Sequence, residues 1–69
     1  MDVTEVVAKA LNVDPALITS NTGPGNLPQW DSLGHLSVIL AVEKAYGITL
    51  TVMDQMEVET VADLEELVS

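Results

Sequence analysis

Near the start of the chain, apolar residues recur at intervals of three and four: Val3, Val6, Val7 and Leu11, with Ala10 beside them. That period marks one face of an α-helix, and it predicts a first helix over residues 2–12. Asp2 and Glu5 put negative charge in its first turn, in a capping-box arrangement. Asn12 and the Asp14-Pro15 pair end it, because a proline disfavours helix in the residue before it. From Ser20 to Gln29 the chain then reads SNTGPGNLPQ, and two Gly, two Pro and two Asn in ten residues predict a long loop with no regular element. Loops of this length in small domains are functional or disordered. Leu27 and Trp30 are the residues expected to pin it to the core, and Ile18 is expected in a single turn ahead of it.

Residues 32–46 carry the clearest helical pattern. At about 100° per residue, Leu36, Val38, Ile39, Val42, Ala45 and Tyr46 share one broad arc. Gly34, Ser37, Ala41 and Lys44 fall opposite, with Leu33 and Leu40 at the boundary. A stripe that wide predicts packing on more than one neighbour, and Gly47 is the expected C-cap. Ile48 to Val52 alternates weakly, but a lone strand has nothing to pair with. It reads as an extended connector into a short turn around Met53 to Met56, two methionines expected in the core. Thr60 caps a last helix, with Asp63 three residues on and Val61, Leu64, Leu67 and Val68 facing inward. The fold class predicted is all-α: a bundle of three main helices and one short one, with the long loop between the first and second.

Composition narrows the function. A chain of 69 residues is at most one domain, and a domain this small buries only about 60% of the surface its unfolded chain exposes. It has no cysteine, so neither a disulfide nor a thiolate metal site supports it, which suits a reducing cytoplasm. Stability falls to an aliphatic core, drawn from a chain that is 48% hydrophobic and lacks Phe. So thin a core leaves no room for a deep, dry catalytic cleft.

Charge points away from nucleic acid and membranes. Eleven Asp and Glu face two Lys and no Arg, a formal charge of −9. Phosphates cannot be neutralised by such a chain, which sets aside nucleic acid and anionic membrane surfaces as partners. An acidic surface suits a partner with a basic docking face, and it also keeps a small domain soluble. The N-terminal MDVTEVVAKAL has neither a positive region nor a continuous apolar run, so no signal peptide is expected. The longest apolar run, Val38 to Val42, is far short of the ~20 residues a bilayer needs. A soluble, cytoplasmic monomer is the expectation.

The segment with chemical interest is Gln29-Trp30-Asp31-Ser32-Leu33-Gly34-His35-Leu36, where the loop turns into the second helix. A serine there can cap the helix by accepting a free backbone N–H, and Asp31 can do the same. The alternative is that Ser32 is the working residue. A helix N-terminus offers free N–H groups and a partial positive charge that favour a bonded phosphate. A hydroxyl placed there beside a loop suits an enzyme that installs a phosphodiester, and Ser20, Ser37 and Ser69 lack that setting. A hydrolase triad of Ser32, His35 and Asp31 is disfavoured, because adjacent Asp31 and Ser32 point apart and no Gly-x-Ser-x-Gly elbow is present. A lone histidine on such a helix is more often packed or solvated than catalytic. Nor do Asp54, Glu57, Glu59, Asp63, Glu65 and Glu66 keep the ligand spacing of a calcium loop, so no metal site is expected.

Trp30-Asp31-Ser32-Leu33, followed by Leu36, Val38 and Ile39 and then by Ala41-Val42-Glu43-Lys44-Ala45-Tyr46-Gly47-Ile48, resembles the acyl carrier protein family. The resemblance spans essentially the whole chain, as one carrier domain over residues 1–69, including the late Thr-Val-Ala-Asp-Leu helix. It implies a four-helix bundle in which the serine of an Asp-Ser-Leu motif opens the second helix and bears 4′-phosphopantetheine transferred from coenzyme A. On that basis Ser32 is the attachment residue, with Asp31 and Leu33 beside it. The chain would be a non-catalytic carrier of acyl or aminoacyl thioesters. Its implied partners are a phosphopantetheinyl transferase, a loading ligase and downstream transferases with basic docking surfaces.

The chain also departs from the family pattern. Gly34-His35 stands where an acid or polar residue is frequent after Asp-Ser-Leu, and Ser37 where an acid is frequent. Gly34 costs about 1 kcal/mol against Ala in a helix interior, and is expected to let a partner backbone approach closely. The docking surface expected comprises Leu33, Gly34, His35, Leu36, Leu40 and Ala41, with Glu43, Asp54 and Glu57 steering the partner. These features resemble specialised stand-alone carriers more than a housekeeping fatty-acid carrier. Fatty acyl, polyketide, amino acid and sugar-modifying acyl cargoes all remain open. The other reading is a small acidic helical interaction domain with the carrier fold and no prosthetic group.

Overall fold

Helix α1 (Val3–Leu11) starts where the Asp2 carboxylate accepts the Glu5 N–H at 2.9 Å. It stops at Asn12, whose backbone is left-handed (φ 58°) and whose N–H turns back to the carbonyls of Ala8 and Lys9. Asparagine is among the few residues that accept this conformation at modest cost, so residues 2 and 12 are caps rather than helix. The computed structural model describes residues 2–68, and all regular structure among them is helical. A single 3₁₀ turn, Pro15–Leu17, follows, capped by the Asp14 carboxylate on the Ala16 N–H at 2.9 Å. Ile18, just after it, is buried.

The long loop contains turns but no helix or strand. It is tied down at both ends of its path. Trp30 is completely buried and Leu27 packs against the core. The carbonyls of Ser20 and Thr22 accept the N–H groups of Ala62 and Val61, at 3.0 and 2.8 Å. Those donors belong to the first turn of α4 (Val61–Val68), which has no intrahelical partners for them. The loop therefore doubles as the cap of the last helix.

Helix α2 (Ser32–Tyr46) has the predicted bounds and ends at left-handed Gly47 (φ 65°). Its buried face differs from the predicted arc. Val38, Ile39 and Val42 are buried as expected, but Leu36 is 51% exposed and Ala45 is exposed. Gly34 and Ala41, assigned to the solvent side, turn inward instead, Ala41 against the core and Gly34 against α1 and the preceding turn. The reason is the crossing of α1, which packs on α2 and brings Leu11 against Gly34. A helix with Leu on both sides has no unique hydrophobic direction, so its spacing alone does not assign the buried face.

Helix α3 (Val52–Glu57) is the predicted short helix, and one expectation about its residues is corrected. The segment around Met53 to Met56 is a six-residue helix started by a capping box between Thr51 and Asp54. Met53 and Met56 are not core residues but 69% and 77% exposed. A helix this short buries none of its own residues, and flanking Leu50 and Val58 make the core contacts instead. In α4, Val61 and Leu64 are fully buried and Leu67 and Val68 pack at the edge of the core. Its start relies on Asp63, whose carboxylate accepts the N–H groups of Glu59 and Thr60 at 2.9 and 3.1 Å.

Candidate functional site

Asp31 caps α2. Its carboxylate accepts the Gly34 N–H at 2.7 Å, and its carbonyl accepts the His35 N–H at 2.7 Å. Ser32 is the first helical residue and is exposed, so its hydroxyl is not spent on capping. Of the first-turn donors, Gly34 is taken by Asp31, which leaves the Ser32 and Leu33 N–H groups free of the cap. These donors and the positive end of a 15-residue helix favour an anion bonded at Ser32. Ser37 differs in that its hydroxyl donates to the Leu33 carbonyl at 3.2 Å. Ser20 lies in the loop, and Ser69 lies outside the described residues.

Beside Ser32 runs an open groove of about 680 Å³, walled by Trp30, Asp31 and His35 on one side and by Val52, Gln55 and Met56 of α3 on the other. An arm esterified to Ser32 would find free backbone donors at its phosphate and a partly apolar trough next to it. The residues present fit a 4′-phosphopantetheine.

His35 does not face Ser32 as a base. Its Nδ1 accepts the Trp30 indole N–H at 2.9 Å, and its Nε2 lies 2.9 Å from the Gln55 carbonyl. An indole nitrogen only donates, so Nδ1 is the acceptor and Nε2 carries the proton that goes to Gln55. Both ring nitrogens are occupied and the Asp31 carboxylate is committed to Gly34. A Ser32–His35–Asp31 triad is excluded by this geometry.

The residues expected to dock a partner divide by face. Leu33, Leu36 and Leu40 project from α2 at 73%, 51% and 56% exposure, on the same side as Ser32. Gly34, His35 and Ala41 face inward. A Cβ on Gly34 would sit 2.5 Å from the Gln29 carbonyl oxygen and 2.9 Å from a Leu11 methyl, so the backbone brought close is the chain's own. Glu43 is half-buried and accepts the Leu50 N–H at 2.7 Å, and Asp54 accepts the Thr51 N–H at 3.0 Å. Both carboxylates hold local structure, whereas Glu57 is exposed. Sequence reasoning missed the Trp30–His35–Gln55 chain, for which no spacing rule exists. Of its parts, a polar-tipped Trp next to a helix start was the one available signal, since a buried indole N–H requires an acceptor.

Among the described residues no three His, Cys, Asp or Glu converge as a metal site, and no helix is long and apolar enough to cross a membrane. A family model described as "Phosphopantetheine attachment site" matches residues 2–68. No curated protein matches the chain.

Proposed function

The chain belongs to the phosphopantetheine attachment site family, and from that membership we propose that it shuttles acyl or aminoacyl groups between enzymes, with Ser32 as the residue that bears the arm. Members of the family hold 4′-phosphopantetheine covalently, and the chain is a carrier of the acyl carrier protein type. When attached, the arm supplies the thiol on which cargo is held as a thioester, a group this cysteine-free chain lacks.

One observation carries the choice of Ser32. It is an exposed hydroxyl at the first position of α2, left out of the cap by Asp31 and bordering the groove. In this reading Asp31 holds the helix start in shape for the modifying transferase. Leu33, Leu36 and Leu40 form an apolar docking face next to the attachment point. Exposed Glu57 and the overall charge of −9 draw in enzymes with basic surfaces. Residues 1–69 act as one non-catalytic carrier domain, a cytoplasmic monomer whose partners are a phosphopantetheinyl transferase, a loading ligase and downstream transferases.

Incubation with coenzyme A, Mg²⁺ and a promiscuous phosphopantetheinyl transferase tests the reading by intact mass. One prosthetic group per chain is expected, and none on Ser32→Ala. Modification that survives in the variant removes Ser32 from the account. A folded wild-type chain that takes no group favours an interaction domain without an arm.

A further inference from the structure

The geometry points to His35 as a latch between α2 and α3: neutral, it holds the wall of the groove beside Ser32, and protonated, it releases that wall. The latch is the Trp30 Nε1–H···Nδ1 His35 Nε2–H···O=C Gln55 chain, with both links at 2.9 Å. Only one tautomer of a neutral ring can accept from Trp30 and donate to Gln55 at once. A doubly protonated ring has two donors and no acceptor. The Trp30 N–H and the new Nδ1–H would then oppose each other across 2.9 Å. Cation–π attraction is poor compensation, since the imidazole meets the indole at its N–H edge and the ring centroids are 6.1 Å apart.

One side of the latch must therefore move, and burial decides which. Trp30 is fully buried and fixed in the core. None of the six residues of α3 is buried. The Thr51–Asp54 capping box and the bond from the Gln55 side chain to the Leu50 carbonyl, at 3.2 Å, are local to its own segment. An imidazolium pushed off Trp30 takes its Gln55 bond with it, and α3 follows. Val52, Gln55 and Met56 line the groove, so the displacement changes the space beside Ser32. His35 is a positioning residue: both ring nitrogens are spent on Trp30 and Gln55, and neither on the Ser32 hydroxyl.

Imidazole gains its charge between pH 5 and 8, where no other ordinary side chain does. The ionisable groups on the elements around His35 are Asp31 ahead of α2, Glu43, Lys44 and Tyr46 along it, and Asp54 and Glu57 on α3. Asp31, Glu43 and Asp54 are committed to the N–H groups of Gly34, Leu50 and Thr51. None of these three is the partner of the ring.

The role of the groove rests on the carrier reading, but the latch is measured on the chain without its prosthetic group, so the two can fail separately. A ¹H–¹⁵N titration from pH 8 to pH 5 follows the His35 ring, the Trp30 indole N–H and the amides of Met53, Gln55 and Met56. The expected result is an Nε2–H tautomer at high pH. As the ring gains its proton, the indole signal and the α3 amides should shift with one shared midpoint. His35→Gln keeps an acceptor and a donor but does not titrate, and should lose the pH-dependent shifts. A ring that titrates while the indole and α3 signals stay in place overturns the latch. So does a ring that stays neutral to pH 5, or the same α3 shifts in the Gln variant.

Discussion

The carboxylate of Asp31 accepts the backbone N–H of Gly34 at 2.7 Å, which assigns the capping of α2 to the aspartate and leaves Ser32 exposed beside it. The two residues divide a task that either side chain is able to perform. One closes the helix end, and the other presents a hydroxyl at it.

Asp31→Ala removes the cap and should lower stability by about 1 kcal/mol, the usual worth of an N-cap. Asp31→Asn keeps an acceptor oxygen and should lose little of it. Urea denaturation of the three proteins measures the difference. Equal loss in both variants would show that the charge, not the hydrogen bond, is what the helix start uses.

Gly34→Ala separates two opposed effects. Alanine gains up to about 1 kcal/mol of helix propensity over glycine, less this near the helix end. Its Cβ would meet the Gln29 carbonyl oxygen at 2.5 Å and a Leu11 methyl at 2.9 Å, and overpacking of that kind costs about 1–3 kcal/mol. Part of the obstruction is backbone, which cannot rotate away as a side-chain end can. A net destabilisation is expected, read as a lower melting temperature. A more stable Ala variant would show that the turn before α2 yields freely.

Leu40 and Leu64 test surface against core with the same residue type. Leu40 is 56% exposed and Leu64 is fully buried. Leu64→Ala should cost about 2–5 kcal/mol. Leu40→Ser should change stability by no more than about 0.5 kcal/mol while slowing the transferase at the attachment residue proposed, Ser32. A Leu40 variant that is modified at the wild-type rate would take this residue out of the docking face.

Much of the fold was legible from spacing and punctuation. The bounds of α2 follow from an Asp-Ser start, a long apolar pattern and a glycine that accepts φ 65° at its end. Asp2 and Asn12 likewise announce the ends of α1, because capping is a local property of a few consecutive residues. The face of α2 was not legible to the same degree. Leu33, Leu36 and Leu40 are as hydrophobic as the residues that are buried, and only the seat taken by α1 decides which side is covered. The same holds for Met53 and Met56, which composition places inside and a helix too short to turn them inward leaves outside.

By itself the sequence determined the helical class, the loop before α2, the charge and the one serine set at a helix start. These depend on neighbours along the chain, and the family match over residues 2–68 rests on the same local order. Tertiary structure alone decided which residues meet across the fold: Gly34 with Leu11, and His35 with Gln55. These two contacts join residues 23 and 20 positions apart. No local pattern encodes such pairs, because their geometry exists only once the helices have packed.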